Sequence, residues 1–350
     1  MTRPAPLSSR GATWHIRRNV PRFSRSRFGE PPMRRFHRPL VAALFASGLA
    51  TAVPAAAFEL KHETGTLSVP ATPSRLAVYD LGVLDTLNAL GIRAVAVPKA
   101  TFPATLSAYN SNGVPQAGSL FEPDTKALAE LKPDLIVVGG RSRKQAESLS
   151  ALAPTVNMSV RADHFVEDVT GQTLALGKAF GKQTEADTLV KNFEKERAAL
   201  KKLTGGKSAV MLFTLNGNVM VHAPGDRFGY LHELTGFNAV VPKAEGSNDG
   251  PRPPAGSPEA KARQEAAAAL LKKAVAANPE WLVVLDRGAA TGGGENKALE
   301  TLAKHPELSQ TRAFKQGRVI VVDAPSWYIV GGGIANVTRI VQDTTRGLKK

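Results

Sequence analysis

Cysteine is absent from all 350 residues. Disulfides, thiolate metal sites and cysteine nucleophiles are therefore excluded, and no lipid-modified cysteine can follow a leader. Other signatures of catalysis are missing too. No serine stands in a G-x-S-x-G elbow, and no carboxylate pair is evident for acid and base work. The clusters Gly292-Gly293-Gly294 and Gly331-Gly332-Gly333 lack the lysine and hydroxyl residue of a phosphate loop and are expected to be flexible turns beside a cleft. Beyond residue 57 the histidines are His62, His164, His222, His232 and His305, and no two have metal-ligand spacing on one helix. His222, which lies near Arg227, is expected to serve in a turn or at the surface rather than to face the cleft.

Acidic residues are scarce at one end only. The net charge of +15 is skewed by the first 57 residues, which hold ten arginines, no lysine and only Glu30; the rest carries 35 basic and 29 acidic residues, net +6. That remainder has no dense basic block interleaved with aromatics, so nucleic acid is not an expected partner. Arg34-Arg35-Phe36-His37-Arg38 forms a positive n-region, Leu40 to Ala50 an apolar h-region too short to span a bilayer, and Ala55-Ala56-Ala57 a small-residue cleavage site. The pattern predicts a cleavable secretory signal with Phe58 as the mature N-terminus; a retained signal anchor is the alternative. Met33 is a more convincing start than Met1, because residues 1 to 32 resemble neither signal nor domain. Without a lipidated cysteine, a periplasmic location is expected.

A chain of this length suggests two domains, and the sequence contains a matching internal repeat. Pro133-Asp134-Leu135-Ile136-Val137-Val138-Gly139-Gly140-Arg141 and Pro279-Glu280-Trp281-Leu282-Val283-Val284-Leu285-Asp286-Arg287 both run from proline and acid through an apolar strand to an arginine. Apolar runs of this length between turn-formers are expected to be buried parallel strands. Alternating strands and helices over the first half predict a parallel sheet, with a Pro, Asn, Ser and Gly-rich loop from Pro98 to Gly118. Helical spacing then covers Phe165 to Phe180 and Thr184 to Leu203, with Leu189, Phe193 and Leu200 on one stripe. The second half is expected to repeat the order of the first, with strands at Ser208 to Phe213, Val219 to His222, Trp281 to Leu285 and Arg318 to Val322. The expected fold is α/β: two Rossmann-like lobes with mostly parallel sheets joined by one long helix. The predicted parts are 1–57, upstream segment and signal; 58–183, first lobe; 184–204, linking helix; and 205–350, second lobe.

Ligands of open α/β sheets bind outside the carboxyl ends of the strands, where Arg141 and Arg287 both fall. Arg227, in Pro224-Gly225-Asp226-Arg227-Phe228-Gly229, is the third candidate. A guanidinium stays charged, offers a planar fork of donors and stacks on aromatic faces, so three of them suit an anionic, aromatic guest. The competing reading pairs each arginine with a neighbouring acid such as Asp226 or Asp286. Only 6% of the chain is aromatic, which makes Trp327-Tyr328 conspicuous. Adjacent side chains on an extended segment point opposite ways, so one is expected to line the cleft and the other to anchor the loop. Lys243 to Pro258, rich in Gly, Pro, Asn and Ser, is expected to be a flexible loop able to fold over the site.

Together, Leu131-Lys132-Pro133-Asp134-Leu135-Ile136-Val137-Val138-Gly139-Gly140-Arg141, the Pro224 to Gly229 turn, Asp286-Arg287-Gly288 and Asp323-Ala324-Pro325-Ser326-Trp327-Tyr328 resemble periplasmic ferric-siderophore-binding proteins, in particular the branch taking catecholate siderophores of the petrobactin and enterobactin type. The resemblance covers essentially residues 58 to 350. It implies a monomeric receptor that holds a ferric siderophore between two lobes and passes it to an inner-membrane ABC permease, with no intrinsic cofactor and no catalysis. It places the family's arginine triad on Arg141, Arg227 and Arg287, and its C-terminal aromatic on Trp327 or Tyr328. The histidine that completes the iron shell in some relatives has no counterpart in Lys243 to Pro258, so direct coordination would fall to Tyr328 or an acid such as Asp249. Permease contacts are implied at Glu233 and, since Lys126 occupies the matching place in the first lobe, at Glu122 or Asp124. Haem, which would need Tyr328 or His222 as axial ligand, is the nearest alternative ligand. Free ferric ion ranks below it because Tyr79, Tyr109, Tyr230 and Tyr328 are dispersed along the chain. A bilobal periplasmic hydrolase or chelatase is the alternative from another class.

Overall fold

A computed structural model describes residues 57–110, 113–245 and 253–349. The expected signal segment, the alternative start sites and Asp249 lie outside the described residues, as does the middle of the Lys243 to Pro258 loop. No helix among the described residues is long and apolar enough to cross a membrane.

The chain opens with an antiparallel hairpin, β1 (Phe58–His62) and β2 (Gly65–Val69), which buries Phe58 and Leu60. The first lobe then alternates β3 (Leu76–Val78), α1 (Leu81–Ala89), β4 (Ala94–Lys99), β5 (Gln116–Ser119), α2 (Thr125–Leu131), β6 (Leu135–Val138), α3 (Ala146–Ser150) and β7 (Thr155–Asn157). Its five strands are parallel in the order β5-β4-β3-β6-β7. In sequence terms that order is 3-2-1-4-5, so the winding reverses between β3 and β6, the crevice where such sheets bind ligands. The strand β5 lay inside the expected Pro98 to Gly118 loop. It is an edge strand that buries only Ala117 fully, so no apolar run marks it.

Two helices follow, α4 (Phe165–Ala179) and α5 (Gln183–Thr204). The 22 residues of α5 span about 33 Å at 1.5 Å per residue. Its buried stripe joins the two cores: Phe193 and Leu200 belong to the second lobe's core, Ala186 to the first, and Leu189 packs against both.

The second lobe holds β8 (Ser208–Leu215), β9 (Asn218–His222), α6 (Leu231–Thr235), β10 (Asn238–Ala239), α7 (Pro258–Ala276), β11 (Trp281–Asp286), α8 (Arg287–Ala290), α9 (Ala298–Lys304), α10 (Arg312–Lys315), β12 (Val319–Val321) and α11 (Ile334–Gly347). Strands β10, β8, β11 and β12 are parallel neighbours. The second lobe does not simply repeat the first, because β9 folds back antiparallel on β8. Asn216 and Gly217 both take positive φ, 50° and 78°, the conformation of a tight two-residue hairpin turn. Helix α6 is a short element of five residues, and α7 begins at Pro258, capped by Ser257.

The lobes are further joined through helix ends. The first N–H groups of a helix lack partners within it, and here each lobe supplies them to the other. Thr86 Oγ1 accepts the N–H of Ile334 at 3.1 Å and Asp85 Oδ2 that of Asn336 at 2.9 Å, capping α11 from α1. Gly333, at φ +81°, permits this approach: a Cβ there would lie 2.6 Å from both Asp85 Oδ2 and the Gly82 carbonyl. Gly331 to Gly333 are thus a close-packed seam rather than the expected flexible turn.

Asp85 is 1% exposed, and burial pushes its carboxyl from an ordinary 3.8 up to about 6, against the backbone N–H groups of Asn336 and Ala335. Between those values the folded chain holds a proton that the unfolded chain has released. This contribution to stability is complete below about pH 4 and lost as pH rises through about 6. Wild type should therefore lose about 3 kcal/mol relative to Asp85→Asn between pH 4 and 7. Urea denaturation of the two proteins across that range checks this, and parallel stability curves would contradict it.

Candidate functional site

Between the lobes lies a cleft with a cavity volume of about 320 Å³, lined from the first lobe by Asp80, Gly140 and Arg141 and from the second by Arg227, Phe228 and Tyr328. Asp80 follows β3 and Arg141 follows β6, so both stand at the reversal point of the first sheet. Arg227 lies on the turn after β9, and Arg287 directly follows β11.

Tyr328 is the hub of the site. It sits in a π-helical turn, Pro325–Val330, closed by the N–H of Gly331 on the Ser326 carbonyl at 2.9 Å. Its ring stacks on Phe228 with centroids 5.2 Å apart and planes 19° from parallel. The Arg141 guanidinium lies 5.3 Å from the Tyr328 ring centroid, and that of Arg287 5.5 Å. Arg287 Nε donates to the Tyr328 hydroxyl at 3.0 Å. Arg141 reaches across the lobes and donates to the carbonyls of Tyr328, at 2.5 Å, and Ile329, at 3.1 Å. Arg227 stands 5.2 Å from the Phe228 ring centroid. The three arginines converge on one aromatic pair, although Arg287 supports Tyr328 without itself lining the cavity.

The neighbouring acids do not neutralise them. Asp226 accepts from the N–H groups of Ala223 and Phe228 and pairs with His222 at 3.0 Å. Asp286 caps α8 through the N–H groups of Gly288 and Ala289 and also accepts from Lys297 N. Both carboxylates shape the turns that carry the arginines. Arg161, Arg197, Arg339 and Arg346 stand in ion pairs with acids, whereas Arg141, Arg227 and Arg287 are in none among the described residues. Burial, reinforced by Arg227, lowers the Arg141 guanidinium to about 10, which leaves it charged at neutral pH. Asp80 is the acid that lines the cleft. One of its oxygens caps α1 through Gly82 and Val83 at 2.9 and 3.0 Å. Burial raises its carboxyl, against those two N–H groups and the charges of Arg141 and Arg227.

Other expected site residues are placed differently. Trp327 is only 2% exposed; it stacks on Tyr230 at 5.3 Å, and Tyr230 stacks on Phe165 at 4.2 Å. Its ring therefore anchors the turn and offers the cleft little surface. His222 packs against Phe213 and Phe228 while its Nδ1 faces Asp226, so it braces the Arg227 turn. Glu233 accepts the N–H groups of Phe165 and Val166 at 3.0 and 2.8 Å, capping α4. Its carboxylate thereby ties the second lobe to a helix of the first. Glu122 is exposed on the turn after β5, whereas Asp124 caps α2. Among the described residues no group of three His, Asp or Glu side chains gathers as a metal cage.

The sequence reading missed Phe228, Asp80 and Asn336. Phe228 directly follows Arg227 and had a visible signal in its position. Asn336, 0% exposed, donates to the carbonyls of Ser326, Gly331 and Gly332 and holds the Tyr328 turn shut; within a helical pattern nothing distinguishes it.

Residues 76–325 match the family described as periplasmic binding protein. The chain is 28% identical to the petrobactin-binding protein YclQ of Bacillus subtilis over 83% of its length and 88% of that protein. The crystal structure of YclQ superposes with a TM-score of 0.73, at 27% identity, over 84% of this chain and 99% of that one. Ferric-anguibactin-binding protein FatB of Vibrio anguillarum is 28% identical, over 82% of this chain and 86% of that protein. The structure of the periplasmic catecholate-siderophore binding protein VctP of Vibrio cholerae aligns at TM-score 0.70 and 26% identity, covering 83% and 99% of the two chains.

Proposed function

The chain belongs to the periplasmic binding protein family, and from that premise we propose that it captures a ferric catecholate or citrate-catecholate siderophore between its lobes and delivers it to an inner-membrane ABC permease. The observation that carries this reading is the convergence of Arg141, Arg227 and Arg287 on the Tyr328-Phe228 pair, with Asp80 the one acid among the described residues lining the same cavity. Opposite unit charges 4 Å apart attract by about 4 kcal/mol at an effective dielectric near 20. Three guanidiniums thus favour a chelate of charge near minus three, and the aromatic floor favours one with flat rings. The names of YclQ, FatB and VctP, all siderophore receptors, support the same reading.

In this reading the protein works as a monomer, needs no resident cofactor and catalyses nothing. It divides into lobes 58–183 and 205–350 around the linking helix 184–204, and α5 with the cross-lobe caps keeps closure small. Iron is the cargo, and the Tyr328 hydroxyl, or an acid such as Asp249, is assigned as the protein oxygen to join its shell. The chain is exported by a cleavable signal peptide and released into the periplasm without a lipid anchor. Glu233 and, in the first lobe, the exposed Glu122 are the assigned permease contacts.

Intrinsic-fluorescence titration of the purified chain tests the ligand class. Ferric tricatecholate and citrate-catecholate complexes should give saturable quenching, with haem far weaker. Saturation by haem alone would replace the reading.

A further inference from the structure

Phe121 is 58% exposed, the most exposed large apolar side chain among the described residues. No aromatic partner and no core contact holds it in place; the backbone around it does. Ser119 Oγ accepts the N–H groups of Phe121 and Glu122 at 3.2 and 3.0 Å, and Ser119 N–H donates to the Glu122 carbonyl at 2.8 Å. Asp124 N–H closes the turn on the Ala117 carbonyl at 3.2 Å. A ring that the core does not need is therefore fixed in water on a tight turn. Together with Leu120 it lines the same cleft as Arg141, Arg227, Phe228 and Tyr328.

The cleft thus carries an apolar edge from the first lobe and a stacked aromatic pair from the second, and is lined by the guanidiniums of Arg141 and Arg227 as well. A ring-free anionic chelate would satisfy the arginines and leave Phe121 hydrated. A chelate with aromatic rings would cover it, adding ring contact to burial of apolar surface. We propose that Phe121, presented with Leu120 on the turn between β5 and α2, is a specificity-determining contact by which the cleft prefers iron chelates that carry aromatic rings over ring-free ones. The inference rests on the siderophore reading above and assigns a residue to its ligand selectivity.

The test compares wild type, Phe121→Ala and Phe121→Trp by fluorescence titration with a ferric tricatecholate and with two ring-free chelates, ferric dicitrate and a ferric trihydroxamate. Phe121→Ala should weaken tricatecholate binding about tenfold, the size of one lost aromatic contact. Phe121→Trp should return it to within about twofold, and any ring-free binding should change by less than about twofold in both variants. An unchanged tricatecholate affinity in Phe121→Ala, or an equal loss for the ring-free chelates, overturns the inference and leaves the siderophore reading standing. Failure of wild type to bind any ferric chelate overturns both. Unchanged thermal unfolding of both variants, expected for an exposed side chain, assigns the loss to the contact rather than to the fold.

Discussion

Replacing Arg141 and Arg287 together by alanine should lower ferric-siderophore affinity about a thousandfold. Truncating one member of a desolvated charge contact costs roughly 2 to 5 kcal/mol, and each 1.4 kcal/mol is tenfold in affinity. The two arginines act by different routes. Arg141 lines the cavity and ties Tyr328 and Ile329 to the first lobe, whereas Arg287 holds the Tyr328 hydroxyl. The double variant therefore removes direct attraction and also releases the aromatic floor. Single variants should each lose about 2 kcal/mol or more, and because both converge on one ring their summed losses should exceed the loss in the double variant. Calorimetric titration measures the three affinities. A double variant within about tenfold of wild type would show that the charge of the cleft does not hold the ligand.

Asn336→Ala should cost about 3 kcal/mol of stability and lower the unfolding temperature by roughly 10 °C, although the residue touches no ligand. Its amide donates to three carbonyls around the turn that presents Tyr328, and its own N–H is the one capped by Asp85 of the other lobe. Removing the side chain leaves the part-buried Gly331 carbonyl and the buried Gly332 carbonyl short of a donor. Siderophore affinity should fall with stability, because the Tyr328 ring is positioned by that turn. Thermal unfolding by circular dichroism checks the first effect; a shift below about 2 °C would mean that the seam does not depend on this amide.

The parts legible in the sequence were those written as local patterns. The mirrored apolar runs became the buried parallel strands β6 and β11, and the helical stripe through Leu189, Phe193 and Leu200 became α5. Arg141 and Arg287 could be found because each stands at the same distance from the proline that opens its run. What local patterns do not carry is the partner of a polar side chain. Asp226 and Asp286 were plausible counter-charges for their neighbours, and only the folded turns show them occupied by backbone N–H groups. Glu233 had the same fate, since the N-terminus of α4 that it caps is 67 residues away in sequence. Trp327 and Tyr328 divide their roles through a π-helical turn, which apolar periodicity does not announce. The reversal of β9 was announced by Asn216-Gly217, and the repeat of the first lobe was given too much weight against it.

The central claim is that the ligand's iron centre sits over Tyr328 and Phe228 within reach of Arg141, Arg227 and Arg287. Crystals of the protein grown with a ferric tricatecholate, with anomalous diffraction collected at the iron edge, measure that position directly. The account predicts one iron peak in the cleft, with catecholate oxygens on the guanidiniums and a ring against Phe228 or Phe121. An iron peak outside the cleft, or a siderophore bound with the three arginines unengaged, would contradict it.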